Sequence, residues 1–208
     1  MATPPRIPPS NRHFGFLPSP PPLGQVVARA MACCALAQRI EVEPGPQVAD
    51  DAETRAATDD LIELSLEWLE RHAMAGVLTP AERAALQAMA GELDPAARDR
   101  HADAGEAAAV LAWALRCAPL PAFDTDADAA GIATALGWLD EAGAALAPTA
   151  RLRHRAELGA CLDAVSAVHW RLRVHVEPRP AATGDATAET AAAAGDTAPA
   201  SPPVGPVA

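Results

Sequence analysis

Two residue types are absent from this 208-residue chain, and each absence excludes some chemistry. The sequence has no tyrosine and no lysine, so all 16 basic side chains are arginine. Without lysine the chain has no Schiff-base nucleophile, no lysine general base and no phosphate-binding loop that depends on lysine. Aromatic residues are scarce at 3%, and much of the 50% hydrophobic content is alanine, which favours helices but buries little surface. The core is therefore smaller than the hydrophobic content suggests.

Positive charge is also in short supply. The 27 acidic residues outnumber the 16 basic ones, which gives a net charge of −11 and a pI near 4.9. Binding to nucleic acid depends on basic residues that displace counterions, so we expect neither nucleic acid nor an anionic membrane as a partner. The first apolar run, 26–40, contains Arg29 and Arg39 and is too short to span a bilayer. The proline-rich start leaves no room for a secretory signal, so we expect a cytoplasmic protein.

The residues that usually form catalytic or metal sites are few and poorly spaced. Cys33, Cys34, Cys117 and Cys161 match neither a zinc ribbon nor a dense disulfide framework, so we expect buried free thiols. The six histidines form no HExxH motif and no pair of Glu-x-x-His motifs. No serine lies in a G-x-S-x-G elbow. The sequence therefore predicts no catalytic residue, no metal site and no cofactor.

Proline marks the two ends of the chain. Eight of the 21 prolines lie in 1–22 and six lie in 178–208, so both ends are predicted to be disordered tails. The first tail carries a small apolar cluster, Phe14, Phe16 and Leu17, that could dock on the domain or on a partner. The segment between the tails, 23–177, is predicted to be one domain.

Helix start signals and apolar periodicity indicate an all-α fold. Thr79, Pro80 and Glu82 form a capping-box pattern, and Asp94 with Pro95 repeats the combination of a cap and a proline. No segment alternates apolar and polar residues with a period of two. The pattern predicts a single compact bundle of about six helices, at 23–41, 50–74, 80–91, 95–117, 126–146 and 148–176.

Two predicted helices have apolar residues on both sides. In 106–118, Leu111 and Leu115 lie on one side and Trp113 lies near the other, which predicts a central, buried helix. The last helix has a similar pattern, so it is either covered on two sides or offers one side to a partner. Its stripe consists of Leu158, Cys161, Val165, Val168, Leu172 and Val176.

Three segments together resemble domain-of-unknown-function family 4272, a bacterial protein family. They are Leu78-Thr79-Pro80-Ala81-Glu82, the run from Glu106 through Trp113 to Leu120-Pro121, and Trp170-Arg171-Leu172. The resemblance covers 23–177 and implies an intracellular all-helical protein without an assigned activity. Two positions depart from the family pattern: Arg116 stands where glycine is usual, and Arg173-Val174 stands where His-Trp is expected.

Glu106 is the most suggestive single residue, because it projects to the same side as Trp113 on a helix that we expect to be buried. A buried carboxylate needs a cationic partner, and Arg171 is the candidate. Three interpretations stay open: an acid in a pocket, a structural ion pair, or a solvated residue at the helix start.

Two functions follow from these patterns. The first is a non-catalytic cytoplasmic interaction module, adaptor or regulatory, with a protein partner or a second copy. The second is a small-ligand-binding protein or enzyme with a pocket near Glu106, Trp113, Trp170 and Arg171. Acidic residues crowd the second helix and arginines dominate the last. These faces could pack within one molecule or between two, or could simply be solvated.

Overall fold

A computed structural model describes residues 21–44, 51–122 and 124–176. The predicted tails, with Phe14, Phe16 and Leu17, lie outside the described residues except for Pro21 and Pro22. Regular structure in the described residues is helical without strands, so the all-α prediction is confirmed. None of these helices is long and apolar enough to cross a membrane. The helices are α1 (Leu23–Val42), α2 (Ala52–Arg71), α3 (Pro80–Gln87), α4 (Pro95–Arg100), α5 (Ala104–Ala114), α6 (Ala129–Leu136), α7 (Glu141–Ala144), α8 (Leu146–Thr149) and α9 (Arg155–Val176).

Helix α1, and not the predicted 106–118 helix, lies at the centre of the fold. Most of its residues from Val26 to Leu36 are buried, and it contacts α2, α3, α5, α6 and α8. Helix α5 buries an alanine-rich face against it but leaves Val110 exposed on another side. Small residues allow a close approach here, since a Cβ on Gly105 would lie 4.0 Å from the Cβ of Ala37.

Both predicted helix starts are confirmed. Thr79 Oγ1 accepts a hydrogen bond from the Glu82 N–H, and the Glu82 carboxylate accepts one from the Thr79 N–H, so the capping box is complete. Asp94 accepts a hydrogen bond from the Ala96 N–H, and Pro95 occupies the first turn. These caps satisfy N–H groups that have no partner inside the helix.

Several predicted helices are shorter than expected. The 80–91 helix ends at Gln87, and the 148–176 helix begins at Arg155, after the separate short helix α8. The 95–117 helix is divided into α4 and α5 by a turn at the buried His101. The 126–146 helix ends early because Gly137 adopts a φ of +71°, which is a common way for helices to end. The chain then packs so closely that a Cβ on Gly137 would lie 2.6 Å from the Gly143 nitrogen.

Arg116 provides a physical reason for the glycine that the family pattern favours at this position. Its φ of +65° lies in the left-handed region, where a side chain is strained and glycine is not. The Arg116 guanidinium lies 3.4 Å from the Glu157 carboxylate, which gives the side chain a partner on α9.

By internal contacts the chain divides into two units, Met1–Ser166 and Ala167–Ala208. The first unit contains α1 to α8 and the first part of α9. The described residues of the second unit continue helix α9 to Val176.

Candidate functional site

Glu106 lies in the first turn of α5 and is exposed. The expectation that it is buried was therefore wrong, and the third interpretation, a solvated residue at the helix start, describes its surroundings. A carboxylate in this position is favourable without an arginine partner, because the helix N-terminus carries partial positive charge.

An open cleft of about 410 Å³ nevertheless reaches Glu106. It lies between α1, α5 and the start of α6, and we call it the Glu106 cleft. Its charged lining is acidic, since Glu41 and Asp128 join Glu106. The Asp128 carboxylate also caps α6 by accepting a hydrogen bond from the Gly131 N–H at 2.9 Å.

Trp113 is on α5 but does not line the Glu106 cleft. Its ring lies under the Arg153 guanidinium, 4.9 Å from the ring centre, and its carbonyl accepts a hydrogen bond from Arg153 Nε at 2.7 Å. Glu157 accepts hydrogen bonds from the His154 N–H and from Arg153, and these lower the pKa of its carboxyl. Trp113 therefore helps to anchor the start of α9.

The other two predicted site residues, Trp170 and Arg171, lie in the second unit on α9. Trp170 is half-buried and Arg171 is exposed. Their assignment to a common site with Glu106 and Trp113 stays a prediction.

A second surface depression is lined by both apolar and acidic side chains. It lies between α2 and the end of α3, with a volume of about 460 Å³, and we call it the acidic groove. Its apolar side chains are Ile62, Leu66 and Met89, and Met89 is 59% exposed. Its acidic side chains, all from α2, are Asp59, Glu63, Glu67 and Glu70.

The charges around the acidic groove are only partly neutralised by the protein itself. Glu67 pairs with Arg71 at 2.5 Å, and Glu70 lies 3.5 Å from Arg83 on α3. Glu63 is exposed and has no hydrogen-bond or ion-pair partner among the described residues. The rim is therefore negative, next to the exposed apolar side chain of Met89.

One wall of the groove belongs to the non-helical segment 88–93, which a buried ion pair holds in place. Arg39 and Glu43, one turn apart on α1 and at its end, pair with side chains that are 1% and 6% exposed. Arg39 Nη2 donates to the carbonyls of Ala88 at 3.2 Å and Met89 at 3.1 Å, while Glu43 accepts from the Leu93 N–H at 3.0 Å. Segment 88–93 is neither helix nor strand, so it has no regular series of main-chain hydrogen bonds. These side-chain contacts therefore hold it in position.

The groove residue Asp59 adds a third contact to this wall. Its carboxylate accepts a hydrogen bond from the Ala90 N–H at 2.7 Å. Segment 88–93 is therefore held from α1 on one side and from α2 on the other.

A second ion pair joins α1 to the start of α3. Helix α3 leads at its other end into the groove wall. Arg29 donates two hydrogen bonds to Glu82, at 2.8 and 2.6 Å. These bonds, with help from the Thr79 N–H, lower the pKa of Glu82 to about 2, although burial opposes the shift. Both ends of α3 are thus linked to α1 by charged hydrogen bonds, which are stronger than neutral ones.

The cysteines are free thiols, as the sequence predicts. Cys33 and Cys34 are buried on α1, but Cys117 and Cys161 are only half-buried, so the expectation that all four are buried was wrong for these two. Burial raises the pKa of Cys34 to about 12, so this thiol is protonated at neutral pH and is a poor nucleophile. Within 21–44, 51–122 and 124–176, no group of three or more histidine, cysteine or acidic side chains could hold a metal ion.

The sequence patterns identified the acidic character of α2 but missed the groove. The signal was present in one helix: Asp59, Ile62, Glu63, Leu66 and Glu70 follow helical spacing and share a face. The other side of the groove comes from 87–89, and no local pattern joins that segment to α2.

Comparison with protein families shows which family the chain is similar to. A family model described as a domain of unknown function (DUF4272) matches residues 18–188. No curated protein and no solved structure matches the chain.

Proposed function

The chain belongs to the DUF4272 family, and we propose that it is a non-catalytic helical interaction module that binds a basic amphipathic helix of a protein partner in the acidic groove. The cytoplasm is the proposed location, which four free thiols support because disulfides are rare in that compartment.

The observation that carries this proposal is the exposed apolar side chain of Met89 beside an acidic rim that the protein only partly neutralises. An amphipathic helix binds a groove by placing its apolar side chains, spaced three and four residues apart, against the apolar surface. Leu66 and the exposed Met89 offer such a surface. Glu63 then selects for arginine or lysine at the edge, since complementary charges favour one partner over another.

The fixed position of the groove wall also supports the interpretation that the groove is a binding site. Arg39 and Glu43 hold the main chain of 88–93 before any partner arrives. A preformed wall lowers the entropy cost of binding, because fewer groups must be ordered on contact.

The test uses two labelled synthetic peptides with the same leucine positions, one arginine-rich and one glutamate-rich, titrated against the full chain by fluorescence anisotropy. The basic peptide is expected to bind and the acidic one is not. Met89→Asp is expected to weaken binding by about tenfold or more, which corresponds to about 1.4 kcal/mol. Val110→Asp on α5 is the matched control, because Val110 is also a large apolar residue, 46% exposed, and it should leave binding unchanged.

Equal affinity of the Met89→Asp variant and the original chain for the basic peptide would overturn the proposal. So would equal binding of the acidic peptide, because the acidic rim would then select nothing.

A second candidate function is supported by the Glu106 cleft, which is open and reaches the residue that the sequence singled out. Its three carboxylates favour a small cationic ligand, such as an amine. Thermal shift with spermidine as the probe tests it: a rise in melting temperature that Glu106→Gln abolishes supports this function, and no rise argues against it.

A further inference from the structure

We propose that segment 10–17, which precedes α1, binds the acidic groove of its own chain and competes there with the partner helix. This inference rests on the proposed function, because it describes how access to the same groove is regulated. Segment 10–17 lies outside the described residues. Three features support its binding: its composition, the place where the chain enters α1, and its length.

The composition of the first 20 residues is opposite to that of the chain as a whole. Residues 1–20 contain two arginines and no acidic residue, although the whole chain carries a net charge of −11. They also contain Phe14 and Phe16, two of the three phenylalanines in the sequence. Positive charge beside large apolar side chains complements a groove in which the exposed Met89 lies beside an acidic rim.

The other end of the sequence has neither property. Residues 177–208 contain four acidic residues and one arginine, and their large apolar side chains are Val204 and Val207. An acidic rim repels a segment of this charge. Of the two ends of the sequence, the first 20 residues therefore fit the groove.

The chain enters α1 close to one end of the groove. Arg29, about 9 Å along α1 from Leu23, pairs with Glu82 at the start of α3. The guanidinium of the next residue of α3, Arg83, lies 3.5 Å from the carboxylate of Glu70. Glu70 is the last groove residue of α2, so the start of α1 lies toward this end of the groove.

The Glu106 cleft is also acidic, but it lies too far from the start of α1. Its first residue on α1, Ala37, is about 21 Å along the helix from Leu23. Residues 18–22, which join the segment to α1, include four prolines and span about 16 Å at about 3.1 Å per residue. This linker covers the distance to Arg29 but not the distance to Ala37.

The segment and the groove also have similar lengths. From Arg12 to Leu17 an extended chain spans about 17 Å. The groove residues of α2, from Asp59 to Glu70, span about 17 Å along the helix. With Leu17 at the Glu70 end, Arg12 therefore reaches the other end of the groove.

The order of the residues suits an extended ligand. Prolines flank the segment on both sides and disfavour a helix, so we expect it to bind in an extended form. Alternate side chains of an extended chain share one side, which places Arg12, Phe14 and Phe16 together. Arg12 then pairs with Glu63, while the two rings cover Met89 and the apolar side chains beside it.

Binding of the segment lowers the apparent affinity of the groove for a partner. A ligand held by a short linker has an effective concentration of about 1 mM. If the segment binds with a dissociation constant of about 0.1 mM, the groove is free in about one molecule in eleven. The apparent affinity for the partner then falls by about tenfold.

The experiment titrates the labelled arginine-rich peptide against full-length variants by fluorescence anisotropy. Phe14→Asp with Phe16→Asp removes the two rings and is expected to raise the affinity for the probe by about fivefold or more. Val204→Asp with Val207→Asp is the matched control, because it adds the same charge at the other end of the sequence, and it should leave the affinity within about twofold of the original. Equal affinity of the two double variants would overturn the inference.

Sedimentation equilibrium tests whether the segment acts within one molecule. The original chain and the Phe14→Asp, Phe16→Asp variant are expected to have the same mass at the concentrations of the titration. A dimer that this variant abolishes would place the segment in the groove of a second copy, and the inference would be wrong.

A synthetic peptide of residues 8–19 separates this inference from the proposed function. It is titrated against the Phe14→Asp, Phe16→Asp variant, whose groove is free, and is expected to bind unless Met89→Asp is added. If the arginine-rich probe binds in a Met89-dependent manner but the 8–19 peptide does not, only this inference fails. If the 8–19 peptide alone binds in that manner, only the proposed function fails. If neither binds, both fail.

Discussion

Removal of the Arg39 guanidinium is the most informative perturbation of this fold, because one side chain supports both the core and the groove wall. In Arg39→Met the aliphatic part of the side chain is kept, but the ion pair with Glu43 is lost. The Ala88 carbonyl also loses its donor, while the Met89 carbonyl keeps the Glu92 N–H. Glu43 keeps the Leu93 N–H but becomes a buried carboxylate without a countercharge.

The expected loss of stability is large. Removing one partner of a buried ion pair leaves an uncompensated charge and costs about 3–5 kcal/mol. At 208 residues, each 1 kcal/mol lowers the melting temperature by about 2–4 °C. Arg39→Met should therefore melt about 6–20 °C below the original chain.

A matched control is provided by Arg71→Met. Arg71 pairs with Glu67 at the same one-turn spacing, but the two side chains are 55% and 61% exposed. Solvent screens that pair, so its loss should cost about 0–1 kcal/mol. The double variant Arg39→Met with Glu43→Leu should recover part of the loss, since no charge is then left buried.

Urea denaturation measures all four proteins. If Arg39→Met costs no more than Arg71→Met, the buried pair does not hold this part of the fold and the reasoning is refuted. A double variant less stable than Arg39→Met alone would show that the cost comes from lost packing rather than from the unpaired carboxylate.

Three further predictions concern stability. Glu82 has its pKa lowered to about 2 from 4.5 chiefly by Arg29, so its carboxylate contributes stability that is complete above about pH 4.5 and is lost as the pH falls toward 2. Glu82→Gln should therefore cost about 1–2 kcal/mol at pH 7, since the half-exposed Arg29 is partly screened, and a pH series of urea denaturations should show the difference vanishing in acid. Ala73 is exposed with a φ of +57°, so Ala73→Gly should raise stability by about 0.5 kcal/mol in thermal melts, because relief of strain exceeds the added freedom of the unfolded chain. A fall in stability would contradict this. Gly137→Ala should cost roughly 2–4 kcal/mol by urea denaturation, since it adds both backbone strain and a clash with Gly143, and a loss below 1 kcal/mol would contradict the close approach.

Local signals of the sequence predicted helix starts better than helix ends. The caps at Thr79 and Asp94 are formed by neighbours in the chain, so their pattern is sufficient. The break at His101, which is buried, was not predicted. The end of α6 at Gly137 could have been predicted, since glycine is the residue most common at that position.

The position of the candidate site was less predictable than the fold. Apolar residues on two sides of 106–118 suggested a central helix, but α5 buries its alanine-rich face and leaves Val110 exposed on another side. The central helix is α1, which is apolar from Val26 to Ala37 apart from Arg29. Both of its arginines, Arg29 and Arg39, are paired. The groove joins α2 to residues 17 to 30 positions away, and one sequence contains no periodicity that reports such a contact.

The buried ion pair of Arg39 and Glu43 is explained by the main-chain segment that it holds in place. A pair of apolar residues at 39 and 43 would pack α1 at lower desolvation cost, since buried ion pairs often stabilise less than hydrophobic replacements. An apolar pair could not, however, bond the carbonyls of Ala88 and Met89 or the N–H of Leu93. These main-chain groups belong to a segment without a helical ladder, and the Arg39 and Glu43 side chains provide them with partners. The ion pair is therefore placed where it determines the geometry of the groove wall, and Arg39→Met with Glu43→Leu should recover stability without recovering peptide binding.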